Sequence, residues 1–284
     1  MRGLAALTGT IFTGAMLLAG TAQAAVIDMA DFSDVSNMTL NGHAAQAVDG
    51  SARDVLRLTP SAGGRSGSAF NTSTVSLASD ASFSTKFAFN INTPGGSSDV
   101  DGQGADGIVF VVQTVGNNVG GAGGGIGYQG ISNSVGVEFD TWNNGGGDNN
   151  SGNHVGINLN GSMSSSALTA VPGRMNDGVD RFVWVDYDGV NDLLEVRLNT
   201  VDLRPGSAML SFNVDLTGVL GQTDAYVGFT SGTGAAYNNH DILSWELRST
   251  FSPIDEEPDT DIPAPAPLGA VLLGLLGLAA TRRR

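Results

Sequence analysis

Short runs of alternating apolar and polar residues recur along this chain. The clearest is Val135-Gly136-Val137-Glu138-Phe139-Asp140. A period of two sends successive side chains to opposite faces of a strand, leaving one face for a core and one for other uses. The pattern predicts strands at 83–91, 107–113, 135–140, 155–159, 182–187, 193–198, 209–214, 225–230 and 242–247. Turn signals separate them at Pro94-Gly95-Gly96, Asp188-Gly189, Pro205-Gly206 and Gly232-Thr233-Gly234. No long helical period and no repeat occurs between 25 and 252. The expectation is an all-β fold, a two-sheet antiparallel β-sandwich.

Composition agrees: the 284 residues include 41 Gly and 9 Pro, only 14% are charged, and no internal linker divides 25–252. With no Cys, disulfides are excluded, so a large core and bound ions are left to hold the fold. The net charge is −15 and Lys86 is the lone lysine. Such a surface repels nucleic acid and anionic lipid and attracts divalent cations.

The two ends differ from the middle. Residues 1–24 hold Arg2, an apolar stretch and Ala22-Gln23-Ala24, the pattern of a secretory signal peptide. Residues 253–262 form an acidic, Pro-containing linker. Residues 263–284 start with Pro263-Ala264-Pro265, continue as an apolar run from Leu268 to Ala280, and end on Arg282-Arg283-Arg284. The apolar run suits a short or tilted membrane anchor with its arginines on the cytoplasmic side. This tail resembles the PEP-CTERM class of bacterial sorting segments, with Ala264 replacing the family's central Glu. The resemblance implies processing by an exosortase. It also implies delivery to the cell surface or extracellular matrix of a Gram-negative bacterium through a transient C-terminal anchor.

Most of the chemistry is concentrated in 138–154. Glu138 and Asp140 share one face of a strand, and the Gly- and Asn-rich loop after them can return Asn144, Asp148 and His154 to the same place. Oxygen ligands suit a hard cation such as calcium, and the imidazole suits a transition metal.

Four segments in series then carry a further resemblance. They are Ala105-Asp106-Gly107-Ile108-Val109-Phe110; Gly123-Gly124-Gly125-Ile126-Gly127; the 138–154 loop with Val155-Gly156-Ile157-Asn158; and 233–245, from Thr233-Gly234-Ala235-Ala236 to Trp245. In order and spacing they resemble the legume (L-type) lectins, whose fold is the concanavalin A-like jelly roll. The resemblance implies that Glu138, Asp140, Asp148 and His154 hold a transition ion such as Mn2+. It implies that Asp140, Asp148, Asn144 and the Trp142 carbonyl hold Ca2+, with Asn149 an alternative to Asp148. The sugar would lie beside the calcium. Asp106 would accept hydrogen bonds from two hydroxyls, and Asn144 and the Gly124 N–H would donate. Ala235 and Ala236 would add backbone contacts, and Trp142 would offer its ring. The Ala105–Asp106 bond would be cis.

Two other readings compete with a lectin that binds exopolysaccharide or surface glycans. A laminarinase-like hydrolase needs carboxylates flanking the scissile bond, on Glu-x-Asp-x-x-Glu. Here Asp140 is followed by Thr141, Trp142 and Asn143, so the third carboxylate is missing. A calcium-stabilised matrix protein without sugar affinity would have no use for Asp106, Asn144 and Gly124 together. His240 is expected to be structural, bonding within the last loop before Trp245, and His43 carries no signal.

Overall fold

The alternating runs become strands because each finds a second sheet for its apolar face. The computed structural model describes residues 26–121 and 123–255. Two antiparallel sheets of eight strands each make the sandwich. The back sheet runs Leu210–Asn213, Leu193–Asn199, Arg181–Asp188, Phe83–Gly96, Ala236–Arg248, Asp54–Thr59 and Ala45–Val48, with Ile27–Met29 also pairing with Ala236–Arg248. The front sheet runs Ala167–Ala170, His154–Leu159, Ser134–Asp140, Gly107–Gln113, Asp224–Gly232, Ser66–Asn71 and Met38–Gly42, with Val75–Ser76 beside Asp224–Gly232. A separate two-stranded hairpin, Ser98–Asp99 with Gly102–Gln103, follows Phe83–Gly96 and precedes Gly107–Gln113 along the chain.

Aromatic rings from both sheets meet at the centre. Phe87 of the back sheet lies 5.6 Å from Phe110 and 5.1 Å from Phe229 of the front sheet, and Phe229 lies 5.0 Å from Trp245. These are favourable ring separations, and each ring also removes a large apolar area from water. Strand Ser134–Asp140 sends Val135, Val137 and Phe139 into this core. Its other face is covered too: Val109 and Val111, on the next strand, pack under Ile126, Tyr128 and Ile131 of a loop. Glu138 and Asp140, on the opposite face of their strand from Val137 and Phe139, are buried as well.

All nine predicted strands are present: Gly107–Gln113 has the predicted ends, most others move by one or two residues, and Phe83–Gly96 and Ala236–Arg248 extend five and six residues beyond the prediction at one end. One predicted turn is not a turn. Pro94-Gly95-Gly96 continues strand Phe83–Gly96, with Gly95 opposite Tyr237 and Gly96 opposite Ala236. Proline donates no ladder bond, and Pro94 falls where the register shifts between Tyr237 and Asn239. The strands at Ile27–Met29, Met38–Gly42, Ala45–Val48, Asp54–Thr59, Ser66–Asn71, Val75–Ser76 and Ala167–Ala170, and the small hairpin, lie outside the prediction. Most are short and built from small or polar residues, so periodicity is weak there. No helix among the described residues is long and apolar enough to cross a membrane. The expected signal segment, the tail, and the linker from residue 256 onward lie outside the described residues.

Candidate functional site

Strand register assembles the site at one edge of the front sheet. Gly107 pairs with Asp140 on one side and Gly232 on the other, and Asp140 pairs with His154. A single row thus sets the 232–236 loop, Asp106, Asp140 and His154 side by side. Gly107 is required there: its φ is +147°, and a Cβ would lie 2.3 Å from the Phe139 carbonyl oxygen.

Ligand atoms of Glu138, Asp140 and His154 lie within 4.8 Å of one another. None of the three residues is more than 2% exposed. Both ring nitrogens of His154 lack a hydrogen-bond partner, and Nε2 is 3.4 Å from Glu138 Oε1. Ser165 Oγ donates to Glu138 Oε1 at 2.5 Å and Asn158 Nδ2 donates to Oε2 at 2.6 Å, which fixes that carboxylate. Burial holds the Asp140 carboxyl well above the usual range, and the negative charges of Glu138, Asp148 and Asp106 push the same way against a bond from the Trp142 N–H. Buried carboxylates gathered around a partnerless imidazole are what a bound cation would satisfy, so these residues fit a metal.

Asn144 and Asp148 lie outside that three-residue group, on the loop after the strand, which two backbone bonds shape. The Trp142 N–H donates to Asp140 Oδ1 at 2.7 Å, and the Asn144 N–H to Asp148 Oδ2 at 2.5 Å. Gly145–Asp148 is a turn of 3-10 helix preceded by Asn144. Asp148 is buried, whereas Asn149 is exposed in the left-handed region. Trp142 is half-buried and Asn144 exposed.

On the other side of the row stands Asp106. The Ala105–Asp106 bond is cis, as the resemblance implies. The Asp106 N–H donates to Gly232 O at 3.2 Å, and its carbonyl accepts from Thr141 N at 2.8 Å and Thr141 Oγ1 at 3.2 Å. Its side chain is 5% exposed, and Oδ2 is buried without a partner. Burial pushes this carboxyl up to about 7. A Cβ placed on Gly234 would lie 3.8 Å from Oδ2, and one on Gly124 would lie 3.5 Å from Asn144 Oδ1. Gly234 thus neighbours Asp106, and Gly124 neighbours Asn144. Ala235 is exposed on its loop, while Ala236 is buried at the first position of the last strand, its carbonyl accepting from Gly234 N at 3.1 Å.

The legume lectin domain model matches residues 28–263. The chain belongs to that family. A bark lectin of Styphnolobium japonicum is 34% identical over 187 residues, 62% of this chain and 64% of that protein. L-type lectin-domain containing receptor kinase VIII.1 of Arabidopsis thaliana is 33% identical over 176 residues, 60% of this chain and 24% of that protein. The chain therefore spans about a quarter of that kinase. Among solved structures, the lectin from Bauhinia forficata in complex with GalNAc is similar with a TM-score of 0.63 and 26% identity, covering 78% of this chain and 96% of that one. The metal-free form of lectin I-B4 from Griffonia simplicifolia gives 0.64 and 27%, covering 78% and 98%. Legume lectins bind Ca2+ and a transition metal such as Mn2+. These relatives are lectins and receptor kinases that carry a lectin domain, which accords with non-enzymatic carbohydrate binding and gives the hydrolase reading no support.

Other details went beyond the sequence. His240 is structural, but it bonds across strands: Nδ1 meets Thr59 Oγ1 at 2.7 Å, and Thr59 Oγ1 meets Ser231 Oγ at 3.1 Å, which joins the two sheets. Ser165 and Thr141, which brace Glu138 and Asp106, carry no local sequence signal.

Proposed function

We propose that this protein is a secreted, surface-associated lectin that binds exopolysaccharide or cell-surface glycans only when its metal loop is loaded. The observation that carries the reading is Asp106: a buried carboxylate with an unpartnered oxygen, one strand from the acid–histidine cluster. Glu138, Asp140, Asp148 and His154 would hold a transition ion such as Mn2+, and Asp140, Asp148, Asn144 and the Trp142 carbonyl would hold Ca2+. These ions supply positive charge that lets the acids stay ionised in a buried place. Asp106 accepts from two sugar hydroxyls, and Asn144 and the Gly124 N–H donate. The half-buried Trp142 ring offers an apolar face, and the backbone at Ala235 closes the rim. Ala236, being buried, contributes through its backbone.

Secretion through residues 1–24, the acidic linker at 253–262 and sorting of 263–284 by an exosortase remain part of the proposal, resting on their residue patterns. Attachment of many copies to one surface raises the weak affinity of single sites through avidity. A glycan array probed with the 25–252 domain in calcium tests the binding claim: discrete glycan classes should be captured. Release of oligosaccharides from β-glucans, with no capture on the array, would overturn it.

A further inference from the structure

We propose that Asp99 and Asp101 are positioning residues that pin the metal loop from outside and tie it to the segment bearing Asp106. This rests on the metal-dependent sugar-binding reading above. The two aspartates sit on the hairpin Ser98–Asp99 with Gly102–Gln103, far from the loop in sequence.

Asp99 works in two directions. Its Oδ1 accepts from Asp101 N at 2.9 Å and Gly102 N at 3.1 Å, which shapes the hairpin turn. Its Oδ2 accepts from the Asn143 N–H at 2.9 Å. Asp101 Oδ2 accepts from the Gly152 N–H at 3.1 Å. Asn143 and Gly152 bracket the loop: Asn144 and Asp148 lie between them, and Trp142 and His154 lie just outside. The two pins therefore hold both ends of the calcium-binding stretch. A Cβ on Gly152 would lie 2.5 Å from Oδ2 of both aspartates, so the two carboxylates converge on one point of the loop backbone.

The loop also closes on itself, through Asn143 Nδ2 to Asn150 O at 2.8 Å and Asn150 N to Gly145 O at 2.8 Å. Those bonds set its internal shape. The aspartates add a tie to a different element, and that element runs directly into Gly104-Ala105-Asp106. Arg174 Nη2 donates to Gln103 O at 2.8 Å and steadies the hairpin's exit. Placement of the calcium ligands and of the sugar acceptor is thereby shared by one hairpin.

Charge and position are separable here. Asp101→Asn weakens one pin and removes a charge. Gly152→Ala displaces both carboxylates and removes no charge, and Gly152 lies outside the left-handed region, so the backbone tolerates alanine. Calcium affinity of the full chain is measured by isothermal titration, with the melting temperature of the calcium-free protein beside it. Each variant should bind calcium roughly tenfold more weakly, the scale of losing one charge-assisted hydrogen bond. Capture on the glycan array should return at saturating calcium, and the calcium-free melting temperature should stay within about 2 °C of wild type. Unchanged calcium affinity in both variants overturns the proposal. So does a loss confined to Asp101→Asn, which assigns the effect to charge alone, or a calcium-free melting temperature that falls as far as the affinity loss requires. A wild-type chain that binds no calcium defeats the parent reading instead.

Discussion

Asp106→Asn should weaken sugar binding and strengthen the metal-free fold. The substitution keeps the shape of the side chain. It also spares the backbone anchors, which run from Asp106 N to Gly232 O and from Thr141 N and Oγ1 to Asp106 O. What changes is the acceptor: an amide nitrogen replaces one carboxylate oxygen, and the remaining oxygen is neutral. One sugar hydroxyl loses its bond and another is held more weakly. A hydrogen bond to a charged group is worth about 1.5–3 kcal/mol, so affinity should fall roughly 10- to 150-fold. Stability should move the other way. Burial raises the folded-state carboxyl to about 7 from its ordinary 3.8. A raised carboxyl contributes most stability below the unfolded pKa, and that contribution is lost as pH rises towards 7. Above pH 7 the wild type therefore bears a penalty of up to about 4 kcal/mol, which the neutral amide lacks. In chelator at pH 8 the variant should melt several degrees higher, since about 1 kcal/mol shifts a domain of this size by roughly 2–4 °C. At pH 4 the gap should close. Calorimetry in chelator and titration of the best array glycan in calcium read the two effects. Sugar affinity within twofold of wild type, or a variant that melts lower at pH 8, refutes the reasoning.

Three further outcomes follow from the core. His240 is fully buried, and burial lowers it to about 3, so the folded protein keeps it neutral while the unfolded chain protonates below about 6.5. That stability is present above pH 6.5 and is lost on acidification. The stability gap between wild type and His240→Gln, from urea unfolding, should shrink by about 2 kcal/mol between pH 7 and pH 5, and a gap independent of pH would count against it. Gly107→Ala would force a Cβ to 2.3 Å from Phe139 O at φ +147°, so a loss of at least about 2 kcal/mol is expected in the same assay. Phe229→Ala removes the ring that touches Phe87, Phe110 and Trp245 and should cost about 3–5 kcal/mol.

Alternation made the long strands legible: Val135, Val137 and Phe139 read as core, and Glu138 and Asp140 as the other face, because a pleated strand enforces that division. Strands such as Ala45–Val48 and Ser66–Asn71 escaped because small residues carry little hydrophobic contrast. Strand Asp54–Thr59 is different, since Leu56, Arg57 and Leu58 do alternate, and its period was there to be read. Pro94-Gly95-Gly96 misled because turn residues also suit an irregular strand end lying against Tyr237. At the site, local spacing brought Glu138, Asp140 and His154 together, and the order of the four segments brought Asp106 to them. The braces were invisible because each joins distant parts of the chain. Ser165 reaches Glu138 across 27 residues, Thr141 reaches Asp106 across 35, and Asp99 reaches Asn143 across 44.

The central link is between cation and sugar. The direct measurement is capture of the best array glycan by one preparation in three states: as purified, stripped with chelator, and stripped then returned to calcium with Mn2+. Capture lost on stripping and recovered on return is the predicted result. Equal capture in all three states would contradict it.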